Sequence, residues 1–284
     1  MQLAMQETFE HLSLTGGDPQ KWILLEEFLA WFLEREFPFD LQISTALTQD
    51  IAESELWRDA ISDVRVSLDA ATNSTYLKIR GDRNTNPKGV LKRIRKLGHP
   101  NLSTLTTVFP ENIHEMFEIA AHLDDLLHSG TPIRKVMFLP VLGPRAKEQE
   151  KEFWDKWNEE SCRIKEVLPF LNTSFADKTS EVRDFCESPE AADIPCTIGN
   201  SFFHIKANGD YYPCCLVGGE ALPSQEKYRL GNWFRDSNLQ ELAGRFLPTC
   251  HYHEGSPCPA ICQYKQLAMN LAVHEASKQK VAMP

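Results

Sequence analysis

The sequence HLSLTGGDP, from His11 to Pro19, opens the pattern that decides the fold of this chain. Its first five residues predict a β-strand, and the glycine pair that follows predicts a sharp turn. Beyond the turn, β-rich runs alternate with stretches of helical periodicity, which is typical of a parallel sheet whose strands are joined by crossover helices. The first two-thirds of the chain is therefore predicted to be an α/β domain.

This alternation predicts five strands and four intervening helices, followed by a long charged helix at residues 148–167. The domain organisation that we predict has an α/β domain over residues 1–145, a linker helix and loop over residues 146–192, and a small cysteine-rich α+β domain over residues 193–284. An Asn-Gly dipeptide at residues 208–209 predicts a tight hairpin in the last region. The expected strands are at residues 11–15, 39–47, 64–68, 102–108 and 135–140, and the expected helices are at residues 22–37, 53–61, 87–97 and 112–127.

Composition excludes several classes of protein. The chain has 284 residues and a formal net charge of −10, which argues against non-specific binding to nucleic acid. The sequence from Met1 to Glu10 shows no basic region followed by an apolar run, and Glu26 and Glu27 interrupt the most apolar stretch. We therefore expect a cytoplasmic protein with neither a nucleic acid partner nor a membrane partner.

Cysteine spacing is the most specific signal in the sequence. Six of the eight cysteines lie between Cys196 and Cys262, and Gly209 and Cys214 follow Cys196 in a spaced frame. A chain without export features has little use for so many thiols unless a metal or a redox step organises them. The other two, Cys162 and Cys186, match no spacing and are expected to be buried or half-buried. The last region is therefore predicted to hold an iron–sulfur cluster.

Taken together, these features resemble radical S-adenosylmethionine (SAM) enzymes that carry a C-terminal auxiliary-cluster domain of the SPASM or twitch type. The resemblance covers nearly the whole chain, and it implies a partial (β/α)6 barrel that lacks its first strand. The family's second strand ends in a Gly-Gly-Glu-Pro turn, and the counterpart here is Gly16, Gly17, Asp18 and Pro19. Glycines let backbone carbonyls approach a ligand closely and accept hydrogen bonds from its ammonium group. Such tetrapeptides also often serve only to reverse the chain.

A second segment carries the same resemblance. Ser67 and Asp69 stand where the family's fourth strand ends, and Arg80 follows. The resemblance implies contacts of this segment with the ribose and methionine parts of SAM, with Arg80 available to pair with a carboxylate. A helix cap is the alternative role for Asp69, and a surface salt bridge is the alternative for Arg80.

For the clusters, the resemblance implies that Cys196, Cys214 and Cys262 hold an auxiliary [4Fe–4S] cluster, completed by Cys215 or an outside ligand. It leaves Cys250, His253 and Cys258 for a second, incomplete site. Zinc is the alternative metal, because all three residues of that late group together with Cys262 can satisfy a tetrahedral ion. The zinc ligands would then be Cys250, His253, Cys258 and Cys262.

The family's C-x3-C-x2-C motif, which holds the catalytic cluster, does not precede Gly16 in this sequence. Two interpretations follow: an N-terminally incomplete form of an enzyme, or a degenerate member without radical chemistry. The resemblance implies an oxidoreductase that cleaves SAM reductively and abstracts hydrogen from a peptide or protein. The alternative function is a catalytically inactive zinc-binding or iron–sulfur-binding module that docks a partner.

Overall fold

A computed structural model describes residues 11–37, 39–51, 54–140, 150–175, 204–212, 229, 231–232 and 235. The chain divides into two compact units, Met1–Ala176 and Asp177–Pro284. The first unit holds six strands: β1 (His11–Leu14), β2 (Asp40–Thr45), β3 (Asp63–Ser67), β4 (Leu102–Val108), β5 (Ile133–Pro140) and β6 (Thr173–Phe175). Its helices are α1 (Leu25–Glu34), α2 (Ser54–Ala60), α3 (Asn73–Arg80), α4 (Pro87–Leu97), α5 (Met116–His128) and α6 (Glu150–Val167).

The six strands form one parallel sheet in the strict order β1 to β6. Right-handed crossovers between strands that add in sequence order place the helices on one face of the sheet, as in a (β/α) barrel. A doubly wound sheet would instead reverse its strand order at a switch point. The predicted α/β fold of the barrel type is confirmed.

Burial alternates along the strands because successive side chains point to opposite faces. In β2, Leu41 and Ile43 are fully buried, whereas Gln42 and Ser44 between them are only half-buried. Leu29 of α1 is also fully buried in the same hydrophobic core. The sheet therefore has one apolar face that packs on helices and one more polar face.

Helix α6 and strand β6 lie within residues 146–192, which the sequence predicts to be a linker. The structure places both in the first unit. Strand β6 pairs in parallel with β5, and Phe175 stacks on Phe138 with ring centroids 5.3 Å apart. Trp157 of α6 is 1% exposed and packs edge-on against Phe175. Aromatic packing thus ties this segment to the sheet. Cys162 of α6 is exposed, so the expectation of a buried thiol is wrong at that position.

Helix α3 is absent from the sequence prediction. It begins after Thr72, whose hydroxyl accepts a hydrogen bond from the Thr75 amide, and ends at Gly81 in the left-handed region at φ 68°. Tyr76 is its one buried residue. An eight-residue helix with so little apolar surface gives no clear hydrophobic periodicity.

The second unit shows a three-stranded antiparallel sheet of β7 (His204–Ile205), β8 (Asp210–Tyr212) and β9 (Gly231–Asn232). The Asn-Gly hairpin prediction is confirmed: β7 pairs with β8, and Gly209 turns the chain at φ 85°. Asp210 accepts hydrogen bonds from Asn232 (3.0 Å) and Arg229 (3.1 Å), which fix β9 beside the hairpin. No helix in the described ranges is both long enough and apolar enough to cross a bilayer.

Candidate functional site

The candidate site lies at the carboxyl edge of the parallel sheet, where ligands bind in folds of this type. Gly16 and Asp18 follow β1, Asp69 follows β3, and Thr107 lies near the end of β4. Because all six strands run in the same direction, the segments that follow them meet at this one edge. The sequence-predicted SAM residues are thus brought to a single side of the first unit.

The first part of the edge is the glycine corner, which we define as residues 16–19 with Thr45 and Thr48. Gly16 and Gly17 both have positive φ angles, 85° and 53°. A Cβ added at either glycine would meet no atom within 4 Å. The glycines are therefore required by their backbone conformation, and space is open beside them.

Asp18 holds the glycine corner in place. Its Oδ1 accepts a hydrogen bond from Thr45 Oγ1 at 2.5 Å, and its Oδ2 accepts one from Thr48 Oγ1 at 2.7 Å. The same carboxylate caps the 3-10 helix that starts at Pro19. Thr45 Oγ1 in turn accepts from the Leu47 amide at 2.9 Å. The Asp18 side chain is thus committed to the protein, and it fixes the turn against the end of β2.

The second part of the edge is the carboxylate corner, which we define as Asp69, Arg80, Asn112 and Glu115. Asp69 is 2% exposed, and its Oδ2 pairs with the Arg80 guanidinium. Its Oδ1 accepts a hydrogen bond from the Thr107 amide at 2.7 Å. Burial raises the pKa of Asp69 above its ordinary value, and Arg80 and the Thr107 amide oppose this rise only in part.

These contacts answer two questions that the sequence leaves open. Thr72, and not Asp69, supplies the N-cap of α3. Arg80 is not in a surface salt bridge of two exposed groups, because its partner Asp69 is buried. The Arg80 side chain itself remains 30% exposed, so part of its guanidinium can still reach a ligand. Ser67 is half-buried, and its hydroxyl has no hydrogen-bond partner in the described part of the chain.

Sequence reasoning missed Asn112 and Glu115. The Asn112 amide nitrogen donates to the backbone oxygens of Asp69 (2.7 Å) and Thr107 (2.9 Å). Glu115 accepts from the Ala71 amide, the Thr72 amide and the hydroxyls of Thr72 and Thr75. Thr107 is five positions from Asn112, but the other partners are at least 40 positions away along the chain, and no local motif indicates such contacts.

Tyr76 of α3 links the two corners electrostatically. Burial raises its pKa, Arg80 opposes that rise, and nearby carboxylates that include Asp69 and Asp18 add to it. The charges of both corners therefore act on one buried phenol.

The seven predicted metal ligands lie outside the described residues: Cys196, Cys214, Cys215, Cys250, His253, Cys258 and Cys262. Across the ranges that the structure does describe, no group of three or more His, Cys, Asp or Glu side chains could hold a metal ion. The described strand nearest to this set is β8, which ends at Tyr212, two positions before Cys214. The predicted frame of ligands therefore stays a prediction.

Comparisons with known proteins bear on both units. Residues 196–246 match the model of the SPASM family, an iron–sulfur cluster-binding domain. The fold is similar to that of Streptococcus suis SuiB bound to S-adenosylmethionine, with a TM-score of 0.57 and 14% identity over 86% of this chain and 56% of that chain. SuiB bound to its precursor peptide SuiA gives a TM-score of 0.59 and 12% identity over 86% and 55%.

The chain thus spans little more than half the length of the SuiB structures. No curated protein matches it. The likeness to SuiB at this identity establishes the fold, and the SPASM match establishes the domain that carries Cys196, Cys214 and Cys215. The chain therefore has the fold of the radical SAM proteins and carries a SPASM iron–sulfur cluster-binding domain.

Proposed function

We propose that this protein binds SAM at the carboxyl edge of its sheet, holds an iron–sulfur cluster in residues 193–284, and modifies a peptide or protein by hydrogen abstraction. The observation that carries the proposal is the SPASM match, which begins at the first cysteine of the predicted ligand frame. The same chain also has a sheet edge that is built from a glycine turn and buried carboxylates. Together these parts favour an oxidoreductase.

SAM fits the glycine corner through backbone atoms. Open space beside Gly16 and Gly17 lets a ligand approach their carbonyl groups, which can accept hydrogen bonds from its ammonium group. Asp18 and Pro19 would shape the turn, because the Asp18 carboxylate is already bonded to Thr45 and Thr48. The direct contacts at this corner are therefore assigned to the backbone of the two glycines.

At the other corner, the Ser67 hydroxyl has no hydrogen-bond partner among the described residues and would bind a polar group of SAM. The exposed part of the Arg80 guanidinium would meet its carboxylate. Asp69 would support the Arg80 contact indirectly, because it is buried and holds Arg80 and the Thr107 amide in position. Bound SAM and a reduced catalytic cluster, distinct from the auxiliary cluster, would supply the hydrogen-abstracting chemistry, and this edge would orient the ligand and exclude water.

The donor set of the second unit fits an iron–sulfur cluster by its chemistry, because soft thiolates are the usual ligands of such clusters. We assign Cys196, Cys214 and Cys262 to an auxiliary [4Fe–4S] cluster, with Cys215 as the candidate fourth ligand. Cys250, His253 and Cys258 are left for a second site. Thiolate ligation also favours a reducing, cytoplasmic compartment.

A peptide is the substrate class that we propose. SuiB, whose fold this chain shares, has been solved with its precursor peptide SuiA. The net charge of −10 opposes a nucleic acid substrate. The residues that would contact the peptide are not assigned.

The test is metal analysis of anaerobically reconstituted full-length protein. We expect iron and acid-labile sulfide in similar amounts, with a broad visible absorption band that Cys214→Ser removes. Cys162→Ser is the matched control: this thiol is exposed on α6 in the first unit, and its loss should leave the band unchanged. A colourless protein that contains zinc and no sulfide would contradict the proposal and support the zinc-binding docking module.

A further inference from the structure

Glu115 sits at the start of α5 and yet bonds to the start of α3. Its Oε2 accepts from the Ala71 amide at 2.7 Å and the Thr72 amide at 3.2 Å, and its Oε1 accepts from the hydroxyls of Thr72 and Thr75, both at 2.6 Å. The residue is 4% exposed. A single buried carboxylate therefore satisfies four donors of another element.

The Glu115 carboxylate lies where a negative charge is favourable. Burial alone would raise the pKa of Glu115, but the hydrogen bonds from Thr72, Thr75 and Ala71 together lower it below its ordinary value. Glu115 is therefore ionised at neutral pH, next to the N-terminus of α3. The helix dipole and the unpaired amides of a first turn both favour an anion there.

Helix α3 has little apolar surface of its own to hold it in place. It has eight residues, and among them only Tyr76 is buried. Such a short, polar helix is marginal without tertiary support. Its last residue is Arg80, which pairs with Asp69 at the end of β3. Whatever fixes the start of α3 therefore also fixes Arg80 at its end.

We propose that Glu115 is a positioning residue for the SAM site: it anchors α3 from α5 and thereby sets the place of Ser67, Asp69 and Arg80. This inference rests on the proposed function, because it assigns that segment to SAM. Glu115 does not touch the ligand. It acts through the 69–72 loop and through α3.

The experiment compares Glu115→Gln with Glu118→Gln in the reconstituted full-length protein. Glu118 lies on the same helix, is 54% exposed and has its carboxylate near His122, so Glu118→Gln makes the same chemical change outside the contact with α3. We measure the dissociation constant for SAM by equilibrium dialysis, well below each variant's melting temperature. We expect binding to weaken about tenfold for Glu115→Gln and to change by less than about twofold for Glu118→Gln.

Thr75→Val is the second variant, and it removes one of the four donors while keeping the shape of the side chain. It should weaken SAM binding by about threefold. Amide hydrogen exchange separates positioning from general loss of stability: exchange should speed up over residues 69–80 and not over β4 or α5.

The outcomes distinguish this inference from the proposed function. If the unsubstituted protein binds no SAM, the proposed function fails. If it binds SAM and Glu115→Gln and Thr75→Val bind equally well, the positioning role is wrong and the proposed function stands. Uniformly faster exchange across the first unit in Glu115→Gln would also overturn the positioning role.

Discussion

The glycine corner and the carboxylate corner stand at the same edge of the sheet, but they are built in opposite ways. At the glycine corner, two residues with positive φ leave open space, and a half-exposed carboxylate, Asp18, ties them to β2. At the carboxylate corner, Asp69 and Glu115 are 2% and 4% exposed and fully engaged with protein donors. The glycine corner leaves open space for a ligand, and the carboxylate corner holds its residues in fixed positions.

This difference separates groups that can contact a ligand from groups that hold those contacts in place. Backbone groups beside open space can bind a ligand directly. A buried carboxylate whose oxygens already accept hydrogen bonds from the protein affects the ligand through the residues that it positions. The two buried carboxylates also differ from each other. At Asp69, the effect of burial is larger than that of the hydrogen bonds and the Arg80 charge, so the pKa is raised. At Glu115, the hydrogen bonds together outweigh burial, so the pKa is lowered. Substitutions can test each side of this comparison.

The largest effect is expected from Asp69→Ala, which would break the carboxylate corner. It leaves the Arg80 guanidinium and the Thr107 amide without their partner. Water can solvate the partly exposed Arg80, but the Thr107 amide loses its acceptor, so we expect a destabilisation of about 2 to 3 kcal/mol. Urea unfolding should show this loss, while Asp59→Ala, at an exposed position of α2, should stay within about 0.5 kcal/mol. A similar small change for both would mean that the Asp69 pair contributes little.

The second effect concerns the charge of Glu115. Because its pKa is lowered in the folded protein, its contribution to stability is present above the ordinary glutamate pKa of about 4.3 and is lost as pH falls through the lowered value. Glu115→Gln should therefore cost about 1 to 2 kcal/mol at neutral pH and progressively less in acid. Urea unfolding across this pH range tests it. A difference from the wild type that does not depend on pH would contradict the ionised state.

Gly17→Ala would sharpen the description of the glycine corner. With φ at 53° and nothing within 4 Å of the added Cβ, the substitution should cost about 1 kcal/mol through backbone strain alone. Gly89→Ala in α4 is the control: it gains helix propensity, and its new Cβ would lie 3.1 Å from the flexible end of the Arg93 side chain, which can move aside. Thermal unfolding should lower the melting temperature for the first variant and not for the second. Equal shifts would argue against a left-handed Gly17.

The smallest effect is expected from Thr48→Val, which removes the hydroxyl that donates to Asp18 Oδ2. We expect a loss of about 0.5 kcal/mol, because this threonine is only half-buried. Thr45→Val should cost about twice as much: that hydroxyl is buried, donates to Asp18 and accepts from the Leu47 amide. Urea unfolding of the two variants should keep this order, and the reverse order would contradict the assigned roles.

The sequence predicts the strands well because each carries its own signal. The five expected strands all appear, with ends within two or three residues of those in the structure, and the helix at Pro87–Leu97 has the predicted bounds. Strand β6 has three residues and exists by pairing with β5, so a local pattern could not reveal it. Helix α3 is missed for a related reason, since its support comes from Glu115 some 43 positions away.

The sequence identifies some candidate residues of the sheet edge, but it does not give their geometry. The glycine turn and the Ser67 and Asp69 segment were recognised from short motifs. That Arg80 pairs with Asp69, and that Asp18 bonds to Thr45 and Thr48, depends on how β2, β3 and α3 meet in space. Motifs identify which residue types lie at the carboxyl edge of the sheet. Long-range packing decides which of them are already hydrogen-bonded or ion-paired within the protein.

Amide hydrogen exchange of the anaerobically reconstituted protein, with and without SAM, would locate the ligand on the sheet. A SAM site at the carboxyl edge predicts slower exchange over residues 14–20 and 66–72 when SAM is present, and unchanged exchange over α4. Binding without protection of either segment, or protection confined to other parts of the first unit, would contradict a SAM site at the carboxyl edge of the sheet.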